Sequence, residues 1–185
     1  MNKREIIARV LAKTSEEKLN QILKILESHL QIWKMIEVGI HSGKYSFIVN
    51  LDRVCTVSDW AQDIIGQNAF VVSSVRQAVE LVKASVGEMG FTKLTPYKEI
   101  QAWGNSHDLD PARCEDAGYY IREHGKDHAM GQSVYFAMDS IADSDRDPSI
   151  LKVYRDDDGL HLIGGSGEPG NLCGPDGVFV FRRRR

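Results

Sequence analysis

The stretch ILKVYRDDDGLHLI, residues 150–163, reads as two short strands folded about a tight turn. Residues 150–155 and 160–163 flank Asp156-Asp157-Asp158-Gly159, in which Asp-Gly accepts the positive φ angles that a short hairpin connection demands. A last strand is predicted at 177–181. Between hairpin and strand, residues 164–177 hold six glycines and two prolines, the composition of a loop. Upstream of the hairpin, Asp110 offers a helix N-cap and Pro111 a first helical residue. Glu115 and Asp116 then fall where the helix dipole favours acids, and Gly125 can close the element. A second helical segment is expected over 126–142.

Further toward the N-terminus the pattern changes. Ile6, Ile7, Val10 and Leu11 form one apolar stripe, and Thr14-Ser15-Glu16-Glu17 has the form of a capping box. Leu19, Ile22, Leu23, Leu26, Leu30, Trp33 and Ile36 recur at helical spacing, and Gly39 supplies a stop, which predicts a helix over 15–38. Because Leu19, Leu26 and Trp33 stand seven apart, this helix could seam a homodimer as well as pack on its own chain. Strands are expected at 45–50 and 69–72. Ser58 should cap a short helix ending near Ile65, and Val75, Ala78, Val79, Val82 and Val86 predict one more helix. The expectation is an α+β protein: a helical N-terminal third, a small mixed sheet, then C-terminal helices, an antiparallel hairpin and a last strand. Gly104-Asn105-Ser106 divides it into lobes 1–104 and 105–185.

At 185 residues and 42% hydrophobic composition the chain can bury one sizeable core. No apolar run approaches the roughly 20 residues of a membrane span, and residues 1–13 lack the form of a secretory signal. Together with three cysteines in no paired spacing, this predicts a cytoplasmic protein with reduced thiols.

Charge is unevenly distributed. Residues 107–176 carry fifteen Asp and Glu against six Lys and Arg, whereas 177–185 carry four arginines and no acid. A clustered like-signed surface steers opposite charge, so the first expectation is a binding or regulatory protein, for instance an inhibitor of a nucleic-acid-handling protein. Its acidic surface, with Asp143, Asp145, Asp147, Asp156, Asp157 and Asp158, would engage a basic partner.

Two other functions have residues behind them. His124 and His128 stand four apart with Asp127 beside the second, a spacing that on a helix aims both imidazoles at one zinc ion, with Asp127 as candidate base. The pattern resembles the inverted zinc-peptidase motif, which implies a metal-dependent hydrolase whose third ligand would be Asp139, Asp143 or Glu168. Alternatively, Lys3, Arg4, Arg9 and Lys13 together with Arg182–Arg185 could contact nucleic-acid phosphates. Other matches have weaker physical grounds. Residues 143–147 alternate oxygen ligands as calcium loops do, but Pro148 and Tyr154 stand where glycine and a bidentate glutamate are needed. The string Gly165-Ser166-Gly167-Glu168-Pro169-Gly170 has the dinucleotide spacing without a following helix, and Cys173 with His161 would make only a generic thiol and base. The favoured reading needs no cofactor.

Overall fold

The computed structural model describes residues 32–38, 47, 51 and 53–184. In chain order the elements are β1 (Ile32–Val38), β2 (Thr56–Val57), α1 (Asp59–Gly66), β3 (Gln77–Ser85), β4 (Thr95–Pro96), α2 (Tyr97–Ser106), β5 (Leu109–Asp110), α3 (Asp116–His124), a 3-10 turn (Gly125–Asp127), β6 (Ser133–Phe136), β7 (Ile141–Ala142), β8 (Pro148–Asp156), β9 (Gly159–Ser166), β10 (Leu172–Cys173) and β11 (Val178–Arg183). Nine strands form one mixed sheet in the order β1-β3-β11-β6-β8-β9-β2, with β5 added to β11 and β7 to β8. The pair β4 and β10 stands apart.

β11 is the strand around which this sheet is organised. It runs antiparallel to β3 and parallel to β6, so the sheet passes across the boundary drawn at residue 104. Residues 32–185 form one compact unit. Along β11, Phe179 and Phe181 face α2: Phe179 packs on Tyr97 at 5.9 Å between ring centroids, and Phe181 on Trp103 at 5.9 Å. The alternate residue Arg182 reaches Asp116 of α3. Since successive strand side chains point to opposite faces, α2 and α3 cover opposite faces of the sheet. The same alternation recurs on β6, where Phe136 meets Tyr120 of α3 while Tyr135 stacks on Phe179.

The mostly sheet architecture corrects the expected helical N-terminal third, small sheet and C-terminal helices. The segment at 32–38 is strand β1, paired along β3, rather than the end of a helix begun at residue 15. Its IWKMIEV sequence also satisfies a period of two: Ile36 and Val38 are buried while Met35 and Glu37 are exposed. Residues 15–31, and with them most of the expected dimer seam, lie outside the described residues, as do most of the expected strand at 45–50 and the bases Lys3, Arg4, Arg9 and Lys13.

The helix expected from Val75 to Val86 is strand β3. Val79 and Leu81 are buried, and so are Val82, Ala84 and Val86. A strand buried on both faces reads as a nearly continuous apolar run, which a helical template also fits. The strand expected at 69–72 is the end of a turn and an irregular segment outside the sheet. Asp110 belongs to β5, and α3 begins six residues later with Glu115 at its N-cap. The helix expected over 126–142 is a single 3-10 turn followed by β6 and β7.

Other local signals produced the structure they describe. Ser58 caps α1 by accepting the Ala61 N–H at 3.2 Å. β8 and β9 pair from Ser149–Ser166 to Asp156–Gly159, with Gly159 at φ +127° in the turn. Gly104 lets α2 lie on the sheet, for a Cβ there would stand 2.5 Å from the Phe181 ring.

Candidate functional site

A groove of about 580 Å³ opens beside the N-terminus of α3. One wall is the irregular segment 69–74, held in place where Ser73 N–H donates to Glu115 Oε2 at 2.7 Å and the Cys114 thiol donates to Val71 O at 3.3 Å. The opposite wall is 138–141, between β6 and β7. Val72, Ala112, Met138 and Ile141 make most of the surface apolar, and Asp139 and Arg113 stand exposed at the rim.

Beneath this groove lies a buried charge cluster. Arg182, 7% exposed, makes a bidentate pair with Asp116, which is fully buried; its Nε donates to Asp116 Oδ2 at 2.7 Å and its Nη2 to Oδ1. Glu115, 1% exposed, stands with Oε1 3.7 Å from Arg182 Nη2, too far for a hydrogen bond, and that oxygen has no hydrogen-bond partner among the described residues. Burial pushes the Glu115 carboxyl above its ordinary value, against the bond from Ser73 and the attraction of Arg182 and Arg113. A carboxylate oxygen so enclosed is costly unless something donates to it.

The histidine pair does other work. His128 is buried and uses both ring nitrogens, Nδ1 to the Tyr120 hydroxyl at 2.8 Å and Nε2 to Gln132 O at 3.0 Å. Burial lowers its pKa, which keeps the imidazole neutral. His124 Nε2 bonds Met35 O at 2.7 Å. With Arg122 donating to Glu37 O and Glu37 N–H donating to the Glu123 carboxylate, it satisfies outward backbone groups of β1. Asp127 is exposed 3.8 Å from Lys34. A zinc ion on His124 and His128 would have to displace these bonds, and among the described residues no group of three His, Cys, Asp or Glu side chains is gathered for a metal.

The acidic residues named from sequence fall into two turns. Asp143 is absorbed by its own surroundings: Oδ1 accepts the N–H of Asp145 and Asp147, and Oδ2 accepts Ser149 Oγ at 2.9 Å and Trp60 Nε1 at 3.2 Å. Asp145 and Asp147 are exposed beside it. At the other end of β8, Asp156 bonds His161 at 2.7 Å and Asp158 N–H at 3.0 Å, leaving Asp157 and Asp158 exposed. Nine residues of strand separate the two turns by roughly 27 Å, beyond the Debye length of about 8 Å at physiological salt. They act as separate charges.

The arginine run is likewise spent inside the fold. Besides Arg182, Arg183 lies 3.4 Å from Glu80, and Arg184 bonds Asp110 at 2.8 Å and stands 3.9 Å from Asp108. Arg185 is outside the described residues. Cys173 lines a second cavity, on the other face of the sheet from α3, whereas His161 is engaged by Asp156. Glu168 is exposed in the glycine-rich loop, and strand β10 follows that loop. The Glu115–Arg182 cluster and its groove were not found from sequence. The usable signal was the alternation in VFVFRR, which puts Arg182 on the same face as buried Val180 and so demands an acid inside.

Among known families, curated proteins and solved structures, none matches this chain.

Proposed function

We propose that the chain is a binding protein that takes a lysine or arginine side chain of a basic partner into the groove beside α3. The observation that carries this reading is that Glu115 lines the groove and its buried Oε1 has no hydrogen-bond donor among the described residues. A long basic side chain has an apolar stem and a cationic head, and the groove has the matching order: Val72, Met138 and Ile141 along its walls, then Glu115 inside and Asp139 at the rim. Arg113 and Arg182 stand against Glu115, Asp116 and Asp139, which leaves one negative charge in excess. The exposed acids at 145–147 and 157–158 would contribute steering rather than contact, since rim charges act mainly on the rate of encounter.

The zinc-hydrolase reading has less support, because both ring nitrogens of His128 are engaged. The nucleic-acid reading loses the three arginines held by Asp116, Glu80 and Asp110. The test uses heptapeptides of otherwise neutral sequence carrying a central lysine, arginine or norleucine, titrated by calorimetry. Lysine or arginine peptides should bind and norleucine should not, with Glu115→Gln and Asp139→Asn each weakening the interaction. Equal binding of the norleucine peptide, or affinity unchanged by both substitutions, would sink the proposal.

A further inference from the structure

On the α2 face of the sheet, the end of β9 and the glycine-rich loop that follows it, 167–177, border a second cavity of about 270 Å³. The loop is fixed at several points: Tyr97 N–H donates to Asn171 O at 2.9 Å, Lys98 N–H to Pro169 O at 3.1 Å, Val86 N–H to Gly177 O at 2.8 Å and Gly87 N–H to Pro175 O at 2.8 Å. β10 within the loop also pairs with β4. The cavity is therefore built in advance, as ligand sites usually are.

Its lining is aromatic and polar but carries no charged side chain. Tyr97, Tyr135 and Phe179 present ring surface, Tyr135 and Phe179 being stacked at 5.2 Å. The Tyr97 hydroxyl is already committed to Met138 O at 2.7 Å. Among the described residues the Tyr135 hydroxyl makes no hydrogen bond and the Asn171 side-chain oxygen accepts none. Ser166 Oγ accepts one weak bond, from Glu168 N–H at 3.3 Å, and keeps its proton to give. Burial pushes the Tyr135 hydroxyl and the Cys173 thiol up, so both are neutral donors.

We propose that this cavity binds a neutral, planar nitrogen heterocycle of one or two rings, the chemistry of a free nucleobase. The aromatic walls offer stacking, while Tyr135, Ser166 and Asn171 offer both donors and acceptors to a ring edge. Charge excludes the alternatives of similar shape. A nucleotide would bring phosphate, and an aromatic amino acid its ammonium and carboxylate, against a lining without a charged side chain; the Lys152 ammonium beside it is already placed over the Tyr135 ring, 5.5 Å from the centroid. Size agrees, since the cavity lies just below the roughly 300–1,000 Å³ of ordinary ligand pockets. This site is on the opposite face of the sheet from α3 and independent of the groove, so either proposal can fail alone.

The test follows backbone amides of residues 164–177 by NMR while adenine, uracil and adenosine monophosphate are added separately. At least one free base should shift those amides saturably, and the monophosphate should not. Tyr135→Phe keeps the wall and removes the hydroxyl, which should weaken base binding about 2- to 12-fold, the value of one hydrogen bond. Ser166→Leu fills the cavity and should abolish binding while thermal melting reports whether the variant is folded. The proposal is overturned if neither base shifts these amides up to its solubility limit, if the monophosphate binds as well as the base, or if Tyr135→Phe binds like the wild type.

Discussion

The cluster under α3 and the turn at Asp156–Gly159 use the same residue types to opposite ends. In the cluster, Arg182, Asp116 and Glu115 are out of water, so their geometry decides their worth. In the turn, Asp157 and Asp158 are solvated and their charge is screened. Yet both regions enter the acidic balance of residues 107–176 in the same way, the cluster with Glu115 and Asp116 and the turn with Asp156, Asp157 and Asp158. Sequence counts treat a carboxylate as a charge, whereas the fold sorts carboxylates into ion-pair partners, turn-makers and free surface charges. Asp110, Asp116 and Glu115 belong to the first group, Asp143 and Asp156 to the second.

The strongest way to break this contrast is to remove the buried cation. Arg182→Met leaves two buried carboxylates without their partner and should cost about 3–5 kcal/mol, read from urea unfolding. Adding Asp116→Leu and Glu115→Gln to that variant should recover much of the loss, because an apolar replacement of a whole buried pair is often neutral. A single-variant loss no larger than that of Arg184→Ala, at the exposed end of the same run, would show that burial is not what separates the two regions.

A smaller effect comes from pH, and here Glu115 and His128 carry opposite signs. Glu115 is held above its ordinary 4.5, so the folded chain binds that proton more tightly than the unfolded chain does. The corresponding stability is present below pH 4.5 and is lost as pH rises through the folded value. Glu115→Gln should therefore be at least as stable as the wild type at neutral pH, the difference closing on acidification. His128 is held below its ordinary 6.5, so unfolding takes up a proton, and stability falls as pH drops below 6.5. His128→Asn should lower the midpoint at neutral pH but remove that acid-side decline. Denaturation midpoints at intervals from pH 4 to 8 would check both signs, and parallel slopes for wild type and either variant would reject the assignment.

The smallest change is expected in the turn. Replacing Asp157 and Asp158 by Asn should leave the unfolding midpoint where it is, since Asn accepts turn geometry and Gly159 retains the positive φ. A clear shift would mean that these side chains hold contacts beyond the turn.

What could be read in advance was local chemistry. The Ser58 cap and the Asp-Gly hairpin each depend on neighbours within a few residues, and such signals survive in a single sequence. Periodicity misled where tertiary burial overrode it: β3 is apolar on both faces, and Ile36 with Val38 suits a strand as well as the helix drawn through them. The candidate sites were less legible still. Glu115 becomes notable only when β11 brings Arg182 to it across 66 intervening positions, and the cavity beside the glycine-rich loop requires Tyr135 and Phe179 from different strands.

The insertion of β11 between β3 and β6 also bears on how quickly the chain can reach this state. Residues 178–183 must find partners at 77–85 and 133–136, so loop-closure entropy is spent before the central ladders return any energy. Topologies dominated by such distant pairings fold in milliseconds to seconds rather than microseconds. Until β11 docks, the facing edges of β3 and β6 have open hydrogen-bonding groups, and this interval is when the chain is most exposed to pairing with a neighbour instead of with itself.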